Sequence, residues 1–205
     1  MESMILLLVV LAGAVTFQFY KGRKLNLMLM RHYLNEIEDV IKPVDKEYVW
    51  LGGYVGYRAK YKVSSENVEA VETTLTLLPR QSLLYFPIAL VTSRHDKLFL
   101  VFRLKDIKGN VHLIQKGYFR IRPKIEDEEF LNRDYVDING VTFELLFDDR
   151  KQADRLIELV KMLPEPRNIK HISITSKTNV FYVFMKPEPE NVKDYLKIFY
   201  KFVRE

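Results

Sequence analysis

The chain has 205 residues, 48% apolar and 13% aromatic; its 32 Lys and Arg outnumber its 27 Asp and Glu, for a formal net charge of +5. Such a composition folds around a core, as one large domain or two small ones, and needs no covalent staples. Cysteine is absent, which excludes disulfides, thiolate zinc sites, iron–sulfur clusters and a cysteine nucleophile.

Met4 to Phe19 contains no charge, and Thr16 and Gln18 are its only polar side chains. At about 1.5 Å per residue the run covers most of a hydrocarbon core about 30 Å thick. Tyr20 follows at an interfacial position, and Lys21, Arg23 and Lys24 close the run. A cleaved signal would carry positive charge before its apolar segment. Here Glu2 precedes it, and Ala12, Gly13 and Ala14 fall inside it. Residues 1–23 therefore read as a transmembrane anchor, with Met4 to Phe19 in hydrocarbon and Tyr20 at the edge. Lys21, Arg23, Lys24 and Arg31 stand on one side of the run and only Glu2 on the other. The positive-inside rule then predicts a single-pass protein of the cell membrane, N-terminus outside and the C-terminal domain cytoplasmic. The same cations suit anionic headgroups of the lipid bilayer.

Residues 24–43 read as a juxtamembrane amphipathic helix. Met30, Tyr33, Leu34, Ile37, Val40 and Ile41 recur at helical steps, and Pro43 stops the pattern. Its start, LNLMLM, is apolar nearly all round. Leu25, Leu27, Leu29 and Met30 are accordingly candidates for contact with membrane or partner, the alternative being packing on the protein's own domain.

Beyond Pro43 the period becomes two. Tyr48 to Val63 reads as strand, broken at Gly52-Gly53 and Gly56, and Val71 to Leu78 repeats the pattern. PRQSLLYFPIALVTSRHD fits a short helix limited by Pro87. Lys97 to Leu104 and Val111 to Ile121 follow as strands. Asn139-Gly140 between Tyr135–Ile138 and Val141–Phe147 is a hairpin signal. Asp148 or Asp149 caps a helix reaching Leu163. Ile169–Ser176 and Val180–Met185 form another hairpin, and Glu188 to Val203 is a last helix. The class is α+β: antiparallel sheet with helices packed on one face, preceded by a transmembrane helix. The domain at 44–205 is readable as one body or as two similar docked lobes, about 44–124 and 134–205.

Catalytic motifs are missing. His32, His95, His112 and His171 lack metal-ligand spacing, and there is no GxGxxG, P-loop, GxSxG or HExxH, so no catalytic residue, metal or cofactor is assigned. The acids Glu126 to Glu129 lack the alternation of a calcium loop and read as a solvated loop. Arg58, Lys60 and Lys62 alternate on one expected strand, and Arg120, Arg122 and Lys124 on another. On a common sheet face they would form a surface for phosphate of RNA or of lipid; the plainer reading is the wet side of a sheet.

The anchor with its charged stop, KLNLMLMRHYLNEIEDVI, LPRQSLL at 78–84, and IKHISITSKTNVFYVFMKP followed by ENVKDYLKIFYKFV resemble the calumin family. That family is the coiled-coil-domain-containing subunit of the endoplasmic-reticulum machinery that inserts multipass membrane proteins. The resemblance covers about residues 5–203 and rests mainly on Arg80-Gln81 before a Leu-Leu helix and on the paired late strands. It implies a non-enzymatic scaffold at the ribosome–translocon junction, with translocon or insertase subunits as partners and no DNA. Two parts of the family pattern are missing: a long acidic segment before the anchor, and a lysine-rich coiled coil after residue 205. Calcium binding is therefore not carried over, and the ribosome contact is left in doubt. A compact relative of archaeal type fits those departures. The rival readings are a membrane-tethered enzyme, with His112 and Glu126 or Asp137 converging in the fold, and a sensory or interaction domain on an unrelated membrane protein.

Overall fold

The computed structural model describes residues 2–204. One helix, α1 (Glu2–Ile41), contains both the expected anchor segment and the expected juxtamembrane segment without a break. At about 1.5 Å per residue it is about 60 Å long. Its first part is apolar and long enough to cross a membrane, and none of that window is buried in the protein. From Gly22 onward one stripe goes inward, through Asn26, Met30, Tyr33, Ile37 and Ile41. Those steps of three and four are one face of a helix.

The remaining chain forms β1 (Asp45–Trp50), β2 (Gly56–Lys62), β3 (Val68–Thr76), α2 (Tyr85–Thr92), β4 (Lys97–Leu104), β5 (Asn110–Gln115), β6 (Asn132–Ile138), β7 (Val141–Phe147), α3 (Arg150–Lys161), β8 (Ile169–Thr175), β9 (Val180–Met185) and α4 (Val192–Arg204). All nine strands join one antiparallel sheet in the order β1-β2-β3-β4-β9-β8-β5-β7-β6. The α+β class is as the sequence pattern indicates.

Alternation along each strand sends one set of side chains into the core. Tyr57, Ala59 and Tyr61 on β2, Leu98, Leu100 and Phe102 on β4, and Phe143 and Leu145 on β7 are buried there with Tyr33, Ile37, Leu156, Val160, Tyr195 and Phe199 from the helices. Helices α1, α4 and α3 thus cover one face. On the opposite face, residues 116–131 cross the sheet as a strap, and Ile125 packs on Ile114 and Leu146.

Local chemistry explains most element ends. Asp149 accepts hydrogen bonds from the Lys151 and Gln152 backbone N–H groups and caps α3. Asn139 and Gly140 both take positive φ in the β6–β7 turn, as a two-residue hairpin of this type requires. Pro87 lies in the first turn of α2, where its missing N–H costs little.

Three expectations change. The strand expected over Val111–Ile121 ends at Gln115, because the chain turns at Gly117 with φ +75° and leaves the sheet. The strand over Tyr48–Val63 is a hairpin, its turn at the glycines that broke the pattern. The sheet also runs through the boundary suggested by two lobes. Strand β5 lies between β8 and β7, and β9 lies beside β4, so the two halves share their strands.

Candidate functional site

Helix α1 is fixed to one end of the sheet by a buried polar junction. A Cβ on Gly22 would lie 2.1 Å from the Arg80 carbonyl oxygen, so only glycine allows this backbone approach. One turn on, Asn26 is fully buried. Its Nδ2 donates to the carbonyls of Tyr54 and Leu78, both at 2.9 Å, and its Oδ1 accepts from an Arg80 guanidinium nitrogen at 3.1 Å. Arg80 in turn holds Asp96 bidentately at 2.9 and 2.8 Å, and Asp96 accepts the Leu78 N–H at 2.7 Å. Gln18 donates to the Arg80 carbonyl at 2.6 Å. Every polar atom of the buried amide is satisfied, which makes the junction specific in geometry.

Beside this junction a groove of about 930 Å³ runs between α1 and the edge strand β1. Met30 and Tyr57 lie in its floor, Leu27 and Leu34 form the helix wall, and Tyr48 and Trp50 form the strand wall. Arg23, Lys24 and Arg31 stand at the rim. Beyond Tyr48, Glu38 pairs with Lys46 at 2.6 Å and accepts the Tyr48 hydroxyl. One end of the groove reaches Tyr20, where the apolar part of α1 begins. From Tyr20 to Asn35 the helix rises about 22 Å, so the groove climbs well beyond the apolar run. Trp50 is half exposed and packs edge-on to Tyr54, over which Arg23 lies at 4.4 Å. The Tyr57 hydroxyl is buried without a hydrogen-bond partner among the described residues. Desolvation raises its pKa, so it stays a neutral donor.

The candidate contact residues divide accordingly. Met4 and Phe19 are exposed along the apolar part of α1, as is Tyr20. Leu25 and Leu27 are exposed and available, whereas Leu29 is partly buried against the core. Met30 is 4% exposed and belongs to the core face with Gly22 and Asn26, so it offers only the edge that forms the groove floor.

The two basic stripes do not form one surface. Arg58, Lys60 and Lys62 are exposed on the outer face of β2. There Lys60 stands directly between Glu47 on β1 and Glu72 on β3, so the patch is charge-balanced. Four strands separate β2 from β5, about 24 Å at the usual spacing. Arg120, Arg122 and Lys124 lie in the strap and not on a strand. Arg122 is engaged by Glu144 at 2.8 Å and Glu128 at 2.7 Å, and these acids hold its pKa above the usual arginine value. It fastens the strap to β7 and is not free for phosphate. Arg120 and Lys124 remain exposed.

A second cavity, about 370 Å³, opens on the outer face beside His112 and His171. Their ring nitrogens are 3.2 Å apart, because β5 and β8 are neighbours with His112 opposite Ser173. Burial pushes His112 down to about 4 and His171 down to about 3, so both rings are neutral. Glu126 reaches this cavity but pairs with Lys177 at 2.8 Å. Asp137 stays in the β6–β7 turn, accepting the Gly140 N–H. Among the described residues no three His, Asp or Glu side chains gather as a metal site.

Sequence pattern missed Asn26, Asp96, Trp50 and the histidine pair. Asn26 interrupts an apolar stripe, and that interruption is the one signal that pointed to it. Comparison with protein-family models and with curated protein sequences finds no match.

Proposed function

We propose that the chain is a non-enzymatic membrane protein that assists membrane-protein insertion by receiving an apolar segment of a partner at the bilayer surface. The observation that carries this reading is the groove between α1 and β1, apolar inside, cationic at the rim, and open toward the apolar end of α1. A lipid surface would fill only its lower end, because the groove rises about 22 Å along the helix. A polypeptide segment emerging from the membrane fits the whole of it. Strand β1 is paired on one side only, so its outer edge can add backbone hydrogen bonds to such a segment.

In this reading α1 spans the membrane once with the N-terminus outside. Lys21, Arg23, Lys24 and Arg31 hold the domain in the cytoplasm. The resemblance to the calumin family supports the same placement near the protein-conducting channel, with channel or insertase subunits as neighbours. Arg120 and Lys124 are the strap cations left for a phosphate-bearing neighbour. The histidine cavity favours an enzyme less, since its acids are already paired.

The test is a photoreactive residue placed at Leu27 or Trp50 in the full-length protein in its native membrane. Adducts with newly made multipass proteins that vanish when synthesis is stopped are the expected result. Adducts only with lipid, or with one mature protein regardless of synthesis, would overturn the reading.

A further inference from the structure

Helix α2 presents apolar surface with no core to receive it. Only Ala89 is buried. Leu84 is 81% exposed and Val91 68%, and Tyr85, Ile88 and Leu90 are exposed beside them. On the strap, Ile121 is 89% exposed. Apolar side chains gathered on a short helix with so little buried mark a contact surface.

The anchor sets the depth of this surface. Leu83, Leu84, Gln81 and Ser82 share a cavity of about 560 Å³ with Val15, Thr16, Phe19 and Tyr20 of α1. Gln18 bonds the Arg80 carbonyl, and the Gly22 contact permits no slack. The segment leading into α2 therefore lies level with the last turns of the apolar run, where hydrocarbon gives way to headgroups. Chemistry changes sign at the other end of α2. Arg94, Lys97 and Arg120 line a shallow cavity of about 260 Å³ with Ser93. The first N–H groups of α2 are already satisfied, Tyr85 by the Ser82 hydroxyl at 3.2 Å and Phe86 by the Ser82 carbonyl at 2.9 Å, and Pro87 has none, so this end can enter the interface without exposing unpaired donors.

The geometry points to α2 as a second membrane element, a short helix embedded in the cytoplasmic leaflet of an anionic bilayer beside the anchor. Helix α1 and α2 together then fix the tilt and rotation of the domain, which a single helix leaves free. This inference rests on α1 spanning the bilayer and not on what occupies the groove.

The natural absence of cysteine allows a direct test. Single cysteines at Ile88, Val91, Phe17 and Lys62 are labelled with an environment-sensitive fluorophore in the full-length protein. The protein is reconstituted in nanodiscs containing phosphatidylserine. Lipid-borne nitroxides should quench labels at 88 and 91 as they do at 17, with blue-shifted emission, while 62 stays unquenched and open to aqueous iodide. Labels at 88 and 91 that behave like 62 would overturn the inference. Labels shielded from both quenchers would overturn it too, since protein would then cover α2. An unquenched label at 17 would remove the span itself. Circular dichroism matching the unlabelled protein confirms that each variant is folded.

Discussion

Helices α2 and α3 each connect two strands of the same sheet, yet they solve opposite problems. The apolar residues of α3 fall on one stripe, and Ala153, Leu156, Ile157, Leu159 and Val160 are all buried. Its polar residues face water and Asp149 caps it. The residues of α2 are apolar nearly all round; it buries Ala89 alone, and at its start Ser82, not the N-cap Leu84, accepts the Tyr85 N–H. A one-sided helix is completed by a core, and a helix apolar all round needs an apolar solvent. The contrast is the second observation, separate from the anchor's composition, on which the proposed bilayer contact of α2 rests.

The largest test of the contrast is on α3. Leu156→Ala removes a fully buried side chain of the main core. Urea unfolding in mild detergent, followed by circular dichroism, should show a loss of about 2–5 kcal/mol. A loss near zero would mean that α3 is no better packed than α2.

Helix α2 keeps its place through the junction that precedes it rather than through burial of its own. Asn26→Leu keeps helical propensity and removes the amide, leaving the Tyr54 and Leu78 carbonyls and an Arg80 N–H without their partner. Stability should fall by about 1–3 kcal/mol in the same assay. The fluorophore at Ile88 should also shift in emission, because the α2 lead-in is no longer held to α1. An unchanged label with lowered stability would separate the junction from the placement of α2.

Acid should act on the packed side of the contrast. His112 and His171 sit on β5 and β8, on the face opposite α3, with Arg122 and Glu128 nearby. Both pKa values are lowered by burial, so between about pH 6.5 and their folded values, about 4 and about 3, the unfolded chain binds protons that the folded chain does not. For these two groups stability is therefore level above pH 7 and falls as pH drops below 6.5. His95, also lowered by burial, adds to that slope. Lys170, lowered by burial to about 8, adds a separate fall as pH drops from the ordinary lysine value toward 8. Glu128 and Glu188, both lowered by their cationic partners, extend the loss at more acidic pH. Thermal melts from pH 8 to 5 check this, and His171→Gln should flatten part of the slope.

Legibility followed the range of the forces involved. The long apolar N-terminal helix, the Asn139-Gly140 turn and the Asp149 cap are each decided by neighbouring residues, and the pattern in sequence is enough for them. Helix α3 was readable because its stripe has a period. Asn26 was not, since its partners are backbone carbonyls 28 and 52 residues away and any residue type supplies a carbonyl. The pattern leaves Met30 open between the core stripe and a contact surface, and the choice falls to the core because Gly22 and Asn26, both weak signals of burial, lie on the same face. Arg120, Arg122 and Lys124 imitated a strand by alternation, but Arg122 obeys Glu128 and Glu144 instead. The histidine pair, 59 residues apart, required the order of the strands, which no local pattern contains.

The smallest expected effect decides most about α2. Ile88→Ser exchanges an exposed apolar side chain for a small polar one, at a position with no core contact to lose. In detergent the urea midpoint should move by no more than about 0.5 kcal/mol equivalent. The same substitution should reduce nitroxide quenching of a label at Val91, because one anchor point in the leaflet has been removed. These two readouts are opposed by design. A helix held by protein would lose stability and keep its surroundings, whereas a helix held by lipid keeps its stability and loses depth. If Ile88→Ser instead cost as much as Leu156→Ala, α2 would be packed as α3 is, and the exposed apolar surface would have another owner than the bilayer.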